Sequence, residues 1–83
     1  MIPKEINSAH IRQALNEISI SGVPIKRKST KYDLHYNNEK FPPKYVISIA
    51  NKFVNGKELS STCFDAPTAK KFLENLGFEI LKK

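Results

Sequence analysis

Each of the three glycines in this 83-residue chain follows a stretch whose apolar residues recur at helical spacing. The first stretch is spaced i, i+3, i+4 and i+7, which is typical of the buried face of a helix, and its members are Ile11, Ala14, Leu15 and Ile18. Asn7 or Ser8 can cap this helix at its start. Gly22 supplies the left-handed residue that often ends a helix, and Pro24 prevents continuation.

Two further helices are predicted by the same signals. Pro42-Pro43 is suited to the first turn of a helix, where a missing N–H is tolerated, and Asn55-Gly56 ends this second helix. Its apolar stripe is Val46, Ile49, Ala50 and Phe53. In the third helix Asp65 is the expected N-cap, with Pro67 just inside. The third stripe precedes Gly77 and consists of Ala69, Phe72, Leu73 and Leu76.

The remaining segments predict a small sheet. Tyr32, Leu34 and Tyr36 alternate as in a half-buried strand, which favours core packing for both tyrosines. Asn37-Asn38 is a turn signal, because asparagine tolerates positive φ, and a short returning strand is expected over 39–41. A last strand is expected over 78–81, paired with the first, and residues 59–64 are expected to be an extended connection.

These elements predict an α+β fold in which three helices cover one face of a two- to three-stranded antiparallel sheet. The order is α-β-(β)-α-α-β, which is distantly similar to a winged-helix domain. A sheet this small is not stable alone, so the apolar stripes must pack on it. At this length one domain over residues 1–83 is expected, and it can bury only about 60–65% of its unfolded surface.

Several classes of protein are excluded or disfavoured by the sequence. No apolar run approaches the ~20 residues of a membrane span, and no signal peptide is evident. The single cysteine, Cys63, fits a reducing cytoplasm, and a small buried residue is its expected role. His10 and His35 are too isolated to form a zinc site with it. No glycine-rich phosphate loop or acid–base pair is present, so we expect neither an enzyme nor a cofactor.

The positive charge is concentrated in one part of the chain. The net charge is +6, with a pI near 9.6. Residues 23–57 contain eight lysines and arginines against two carboxylates, whereas the remainder is balanced, six against six. Such a window is typical of a surface that binds nucleic-acid phosphates, and the expected partner is double-stranded DNA. The simpler alternative is that these lysines only keep the protein in solution.

The predicted contacts are the cations and short polar side chains of this window. They are Lys26, Arg27, Lys28, Ser29, Thr30, Lys31, Asn38, Lys40 and Lys44. Lysine and arginine release counterions from a duplex, and the hydroxyls and amide are suitable donors to phosphate oxygens. Tyr32 and Tyr36 could instead stack on exposed bases.

Four segments resemble the N-terminal domain of McrA-type, modification-dependent HNH restriction endonucleases. They are His10-Ile11, residues 29–34, residues 41–50 and residues 75–80. The Pro-Pro-Lys start of the second helix is the most specific of them. In that family the domain precedes modified-DNA reader modules and a nuclease. The resemblance therefore implies a non-catalytic DNA-binding or specificity module, whose partner would be a nuclease domain of the same or another chain.

The chain departs from the family in one loop. Members usually carry a glycine-rich segment before the third helix, where this chain has residues 65–68 instead. The HNH motif is absent, so cleavage is not implied. A rival hypothesis is a protein-docking domain within a larger restriction assembly, which would use Tyr45 or Phe41 as its contact surface.

Overall fold

The computed structural model describes residues 2–28 and 31–82. Its helices and strands follow the predicted order, with two additional 3-10 helices, η1 and η2. The elements in chain order are α1 (Ser8–Ser21), η1 (Ile25–Arg27), β1 (Tyr32–Tyr36), β2 (Glu39–Phe41), α2 (Pro43–Asn55), η2 (Ser61–Cys63), α3 (Ala66–Asn75) and β3 (Glu79–Lys82). The α+β fold class is confirmed, and β3 begins one residue later than expected.

The three strands form one antiparallel sheet in the order β2-β1-β3. Leu34 lies at the centre of β1, opposite Phe41 on β2 and Ile80 on β3. All three side chains are buried. Because side chains alternate along a strand, His35 belongs to the opposite, outer face, opposite Lys40 on one side and Glu79 on the other.

The helix α1 begins with a reciprocal capping arrangement. The Asn7 side chain accepts hydrogen bonds from the backbone N–H groups of Ala9 and His10, at 2.9 and 3.3 Å. In return, the Asn7 backbone N–H donates to Nδ1 of His10 at 3.1 Å. These bonds satisfy N–H groups that have no partner within the helix. Asn7, rather than Ser8, is therefore the N-cap.

The β1–β2 connection is a two-residue turn. Asn37 and Asn38 have φ angles of 49° and 62°. Two consecutive left-handed residues are required by the type I′ turn, whose twist matches that of the flanking strands. Asparagine adopts this conformation more readily than most residues, which explains why the Asn-Asn pair predicted the hairpin correctly.

The helix α3 is capped at both ends. The Asp65 carboxylate accepts a 2.9 Å hydrogen bond from the Thr68 N–H at its start. At its end the N–H of Phe78 donates to the Leu73 carbonyl and that of Gly77 to the Glu74 carbonyl. This pair of bonds is a Schellman motif, in which Gly77 takes the left-handed position with φ 95°. The chain thereby turns directly from α3 into β3.

One apolar core joins the three helices to the inner face of the sheet. Its most deeply buried large side chains include Ile11, Leu15, Leu34, Ile47 and Leu73. The tyrosines of β1 are half-buried against this core. Tyr36 contacts the Phe78 ring, with 6.0 Å between ring centroids. The preference for core packing of the tyrosines is thus supported.

Some local predictions are wrong. Phe53 is 40% exposed, although it lies on the same helical face as Val46, and the neighbouring Val54 packs against the core instead. Cys63 is exposed rather than buried, and the neighbouring Phe64 takes the buried position. The connection over 59–64 is not extended throughout, since it contains η2.

Candidate nucleic-acid interface

Arg27 is the only cation of η1 that turns inward, among the residues that the structure describes. Its guanidinium donates a 2.9 Å hydrogen bond to the hydroxyl of Ser48, which is fully buried in α2. The same group lies 5.0 Å from the centroid of the Tyr45 ring and 4.0 Å from the Glu58 carboxylate. A planar fork with several donors can make these contacts together. Arg27 therefore fastens η1 to the side of α2.

The segment after α2 folds back onto the same side of the helix. The Leu59 N–H donates to the Ser48 carbonyl at 3.2 Å. The amide of Asn51, which is buried, donates to the Lys57 carbonyl at 2.9 Å. These bonds hold Glu58 where it meets Arg27. Three separate segments, η1, α2 and residues 57–59, consequently meet around one guanidinium.

Lysines border this junction in each of the three segments. Lys26 and Lys28 adjoin Arg27 in the chain, Lys44 precedes Tyr45, and Lys57 precedes Glu58. Lys26, Lys28 and Lys57 are exposed. Because their neighbours contact one another, the backbone positions of these four lysines lie around this junction. We call Lys26, Lys28, Lys44 and Lys57 the basic flank.

Lys44 differs from the other three lysines of the basic flank. Its Nζ lies 5.5 Å from the centroid of the Phe64 ring, as in a cation–π contact. It also lies close enough to Asp65 to help lower the pKa of that carboxyl below its usual value. The larger cause of the lowered pKa is the hydrogen bonding of Asp65 to Thr68. Lys44 is thus partly held by its own domain, with its ammonium still half-exposed.

The other predicted contacts lie outside the basic flank. Lys40 is exposed on the outer face of the sheet, opposite His35, and Asn38 is exposed at the hairpin turn. Lys31 is exposed just before β1. Ser29 and Thr30 lie outside the described residues, so their predicted role stays a prediction. Only some of the predicted contacts therefore belong to the basic flank, and Lys31, Asn38 and Lys40 lie on or next to the sheet.

Two lysines outside the predicted set are paired with carboxylates of the domain. Lys52 forms a 2.8 Å ion pair with Glu17 that links α2 to α1, and this hydrogen bond raises the pKa of the lysine. Lys70 pairs with Glu74 at 3.2 Å on α3. By contrast, the side chains of Lys26, Lys28, Lys31 and Lys40 make no hydrogen bond or ion pair with any described residue.

One carboxylate of the basic window, Glu39, is also occupied. It accepts hydrogen bonds from the Ser19 hydroxyl at 2.9 and 3.2 Å, which tie the hairpin to α1. Glu58, just outside the window, faces Arg27. Because Arg27 and Lys52 are paired with carboxylates, the positive charge that residues 23–57 leave at the surface is that of their exposed lysines.

Sequence reasoning missed two features of this region. It treated Arg27 as a phosphate contact equal to its neighbours, although the side chain is only 24% exposed. It also omitted Lys57 from the predicted contacts, since nothing in the sequence indicates that residues 57–59 return to α2. Both features depend on contacts between residues far apart in the chain.

No group of three or more histidine, cysteine, aspartate or glutamate side chains among the described residues is placed to hold a metal ion. No helix in residues 2–28 and 31–82 is both long and apolar enough to cross a membrane.

Comparison with known families identifies the fold. The model of the ScoMcrA-like N-terminal head domain matches residues 4–82, a range that includes every helix and strand described above. The chain belongs to this family. No curated protein and no solved structure matches it. The resemblance to McrA-type N-terminal domains is therefore confirmed, and the chain is an N-terminal head domain of the kind found in restriction systems.

The segments that carried the family resemblance have identifiable structural roles in this head domain. The Pro-Pro-Lys start of α2 places Lys44 and Tyr45 in the first turn, beside Phe64 and Arg27 respectively. The segment over 75–80 is the Schellman ending of α3 and the start of β3. Both segments therefore make contacts that hold the fold together, and the first also carries Lys44 of the basic flank.

Proposed function

We propose that this head domain is a non-catalytic DNA-binding module that holds duplex phosphates through the basic flank. One observation carries the proposal: Arg27 fastens η1 to α2 and meets Glu58, and lysines adjoin these contacts in all three segments. Lysine ammonium groups bind phosphates as point charges and release counterions from the duplex. Lys31, just before β1, and Lys40, on the outer face of the sheet, are exposed outside the basic flank.

The setting of Lys26 and Lys28 supports DNA binding. Unlike Lys52 and Lys70, which are paired with carboxylates of their own domain, they have no described partner. They also stand on a turn whose backbone is fixed in place. The backbone that carries them therefore loses little entropy when they meet a polyanion.

Salt-dependent binding tests the proposal directly. The full chain is titrated into a fluorescently labelled duplex, and anisotropy is followed at several salt concentrations. Four phosphate contacts predict a slope of log K against log salt near −3.6, and six predict about −5.4. A slope in this range supports the proposal. Absence of binding at low salt, or binding with a flat slope, refutes it.

A pair of charge-matched variants locates the surface. Lys26→Ala with Lys28→Ala removes two cations of the basic flank and is expected to make the slope shallower by about 1.8. Lys4→Ala with Lys71→Ala removes the same charge from exposed positions outside the basic window. Equal losses in both variants would show that only the net charge matters, and would reject the basic flank as the site.

The two residues given as examples for the protein-docking alternative, Phe41 and Tyr45, are not exposed contact surface. Phe41 is 4% exposed and packs in the core. Tyr45 is half-buried and its ring faces Arg27. A partner protein would therefore need other surface residues. Partner binding that persists at high salt would still distinguish this alternative, since phosphate contacts weaken there.

Two further parts of the proposal concern chemistry and location. We assign no catalytic step to the domain, and its contribution to a restriction system would be to bring a nuclease domain to DNA. We also place it in the cytoplasm, where DNA is accessible and an exposed thiol such as that of Cys63 is kept reduced. Nuclease assays of the purified chain with divalent metal would overturn the first assignment if they showed cleavage.

A further inference from the structure

We propose that Ile25 is an apolar wedge, which the domain inserts between base pairs from the minor groove when it binds DNA. This inference rests on the proposed DNA-binding function and adds a specific contact to it. Proteins that bind the minor groove often insert an isoleucine, leucine or phenylalanine between base steps, which unstacks them and bends the duplex.

The exposure of Ile25 motivates the proposal. Its side chain is 86% exposed, more than any other large apolar side chain in residues 2–28 and 31–82. A single exposed aliphatic residue is ordinary on a protein surface. Ile25 is unusual in its setting, because Lys26 follows it at once and Lys28 lies three residues on.

The geometry of η1 aims Ile25 and the lysines outward together. A 3-10 helix has three residues per turn, so residues i and i+3 lie on the same side. Lys28 therefore lies on the same side as Ile25, and Lys26 is rotated by about 120°. Arg27 occupies the third side and contacts α2. The inward contact of Arg27 thus leaves the apolar and basic groups facing solvent.

The turn that carries Ile25 is also well fixed. Pro24 limits the φ angle before it, and the Arg27 N–H donates to the Pro24 carbonyl at 2.9 Å. The contacts of Arg27 with Ser48 and Tyr45 anchor the other end of the turn. A wedge needs this support, since a mobile side chain would lose more entropy on insertion.

The lysines next to Ile25 favour DNA over an apolar protein partner. Inserting the wedge into the narrow minor groove would bring Lys26 and Lys28 to the phosphates along its edges. The isoleucine would then contribute apolar contact with the bases, and the lysines would contribute charge. An apolar protein surface would instead have to remove both ammonium groups from water without compensation.

Ile20 provides a matched control within the same domain. It is 79% exposed near the end of α1, where its neighbours Ser19 and Ser21 carry no charge. If exposed aliphatic surface alone matters, truncating Ile20 should have the same effect as truncating Ile25. If the wedge depends on its basic setting, only Ile25 should matter.

The test measures bending and unstacking as well as affinity. A duplex of about 20 base pairs carries a donor and an acceptor dye at its ends, so that bending raises energy transfer. A second duplex carries a base analogue whose fluorescence rises when it unstacks. The wild-type chain is compared with Ile25→Ala, Ile25→Met and Ile20→Ala. Circular dichroism confirms that each variant is folded.

We expect the wild-type chain to bend the duplex and to raise the analogue fluorescence. Ile25→Ala should abolish both signals and weaken binding about three- to tenfold, since a kink depends on the inserted side chain. Ile25→Met should retain most of both signals, and Ile20→Ala should match the wild type. The salt slope should stay unchanged in all of them, because no phosphate contact is removed.

Failure of the wedge and failure of the proposed function give different results. Salt-dependent binding without bending, or an Ile25→Ala variant that bends DNA normally, overturns the wedge alone. No binding by the wild type at low salt overturns both. Self-association at high salt that Ile25→Ala removes would assign this residue to protein docking and also overturn the wedge.

Discussion

At the residue scale, Arg27 shows why two basic residues adjacent in sequence can serve different purposes. Its guanidinium simultaneously meets a buried hydroxyl, an aromatic ring and a carboxylate. A lysine has no planar group that could stack on Tyr45 while it donates to Ser48. The arginine therefore stabilises the junction, and the lysines on each side remain at the surface.

Replacing Arg27 by lysine tests this division. Arg27→Lys keeps the charge but loses the ring contact and the hydrogen bond to Ser48, which is buried. Leaving that hydroxyl without its partner should lower the free energy of unfolding by about 1–3 kcal/mol. Urea unfolding measures the change, and unchanged stability would show that the junction does not depend on the guanidinium.

A companion experiment asks whether Arg27 touches phosphate. Arg27→Met removes its charge and the contacts that fasten η1, so DNA affinity should fall. The salt slope should stay near that of the wild type, because we assign Arg27 no phosphate and every lysine of the basic flank is kept. Lys26→Ala is the control and should make the slope shallower by about 0.9. A comparable change in both variants would place Arg27 among the phosphate contacts, as the sequence alone had predicted.

At the element scale, the ends of the helices and the hairpin were predictable because their causes are local. Asn7, Asp65 and Gly77 act through bonds to residues at most five positions away. The two asparagines of the turn act through their own φ angles. Such signals remain readable without knowledge of how the elements pack.

What the sequence did not predict depends on packing between distant segments. The exposure of Phe53 and of Cys63 depends on which neighbouring residue, Val54 or Phe64, packs against the core. The bond from Arg27 to Ser48 joins residues 21 positions apart. The candidate site was therefore predicted as a charged window, but not as the basic flank, which forms only when three segments meet.

The hairpin turn provides a test that separates folding from binding. Asn38 has φ 62°, which glycine adopts without strain and a β-branched residue adopts poorly. Asn38→Val should lower the free energy of unfolding by about 1–2 kcal/mol, whereas Asn38→Gly should leave the melting temperature near or above that of the wild type. Thermal unfolding monitored by circular dichroism measures both, and equal melting temperatures would contradict the type I′ assignment.

The same glycine variant examines the predicted donor role of Asn38. Because Asn38→Gly removes the amide while the turn is kept, any loss of DNA affinity reports the missing donor. Unchanged affinity would remove Asn38 from the contact set without affecting the basic flank.

The N-cap of α3 should make stability depend on acid pH. Hydrogen bonding to Thr68 lowers the pKa of Asp65 from the usual 3.8. The ionised cap therefore contributes its full stability above the unfolded pKa and loses it as the pH falls through the lower folded pKa. Asp65→Asn can still cap the helix but cannot titrate. Its melting temperature should fall less steeply below pH 3.8 than that of the wild type, and parallel curves would contradict this assignment.

At the scale of the whole molecule, the proposed interface depends on the stability of one small core. The basic flank draws on η1, α2 and residues 57–59, none of which contains a complete site. The turn η1 and residues 57–59 are held by contacts with α2, whose buried residues join the core under the sheet. Weakening the core should therefore weaken DNA binding even when every lysine is kept.

Leu34 is the most direct place to test this dependence. It is fully buried at the centre of the middle strand, between Phe41 and Ile80. Leu34→Ala should cost about 2–5 kcal/mol, out of a total stability of about 4–12 kcal/mol for a chain of this size. Circular dichroism reports the helices, and fluorescence of the three tyrosines reports β1 and α2, since the chain has no tryptophan.

Because one core joins all three helices to the sheet, both signals should change at the same urea concentration, and Leu34→Ala should lower both midpoints together. DNA affinity should fall as the folded fraction falls, with an unchanged salt slope for the molecules that remain folded. Leu81→Ala, at a 44% exposed position on the outer face of the sheet, should shift stability by no more than about 0.5 kcal/mol. Separate transitions for the two signals would show that the helices unfold independently of the sheet. The basic flank would then have to be treated as a property of α2 and its neighbours rather than of the whole fold.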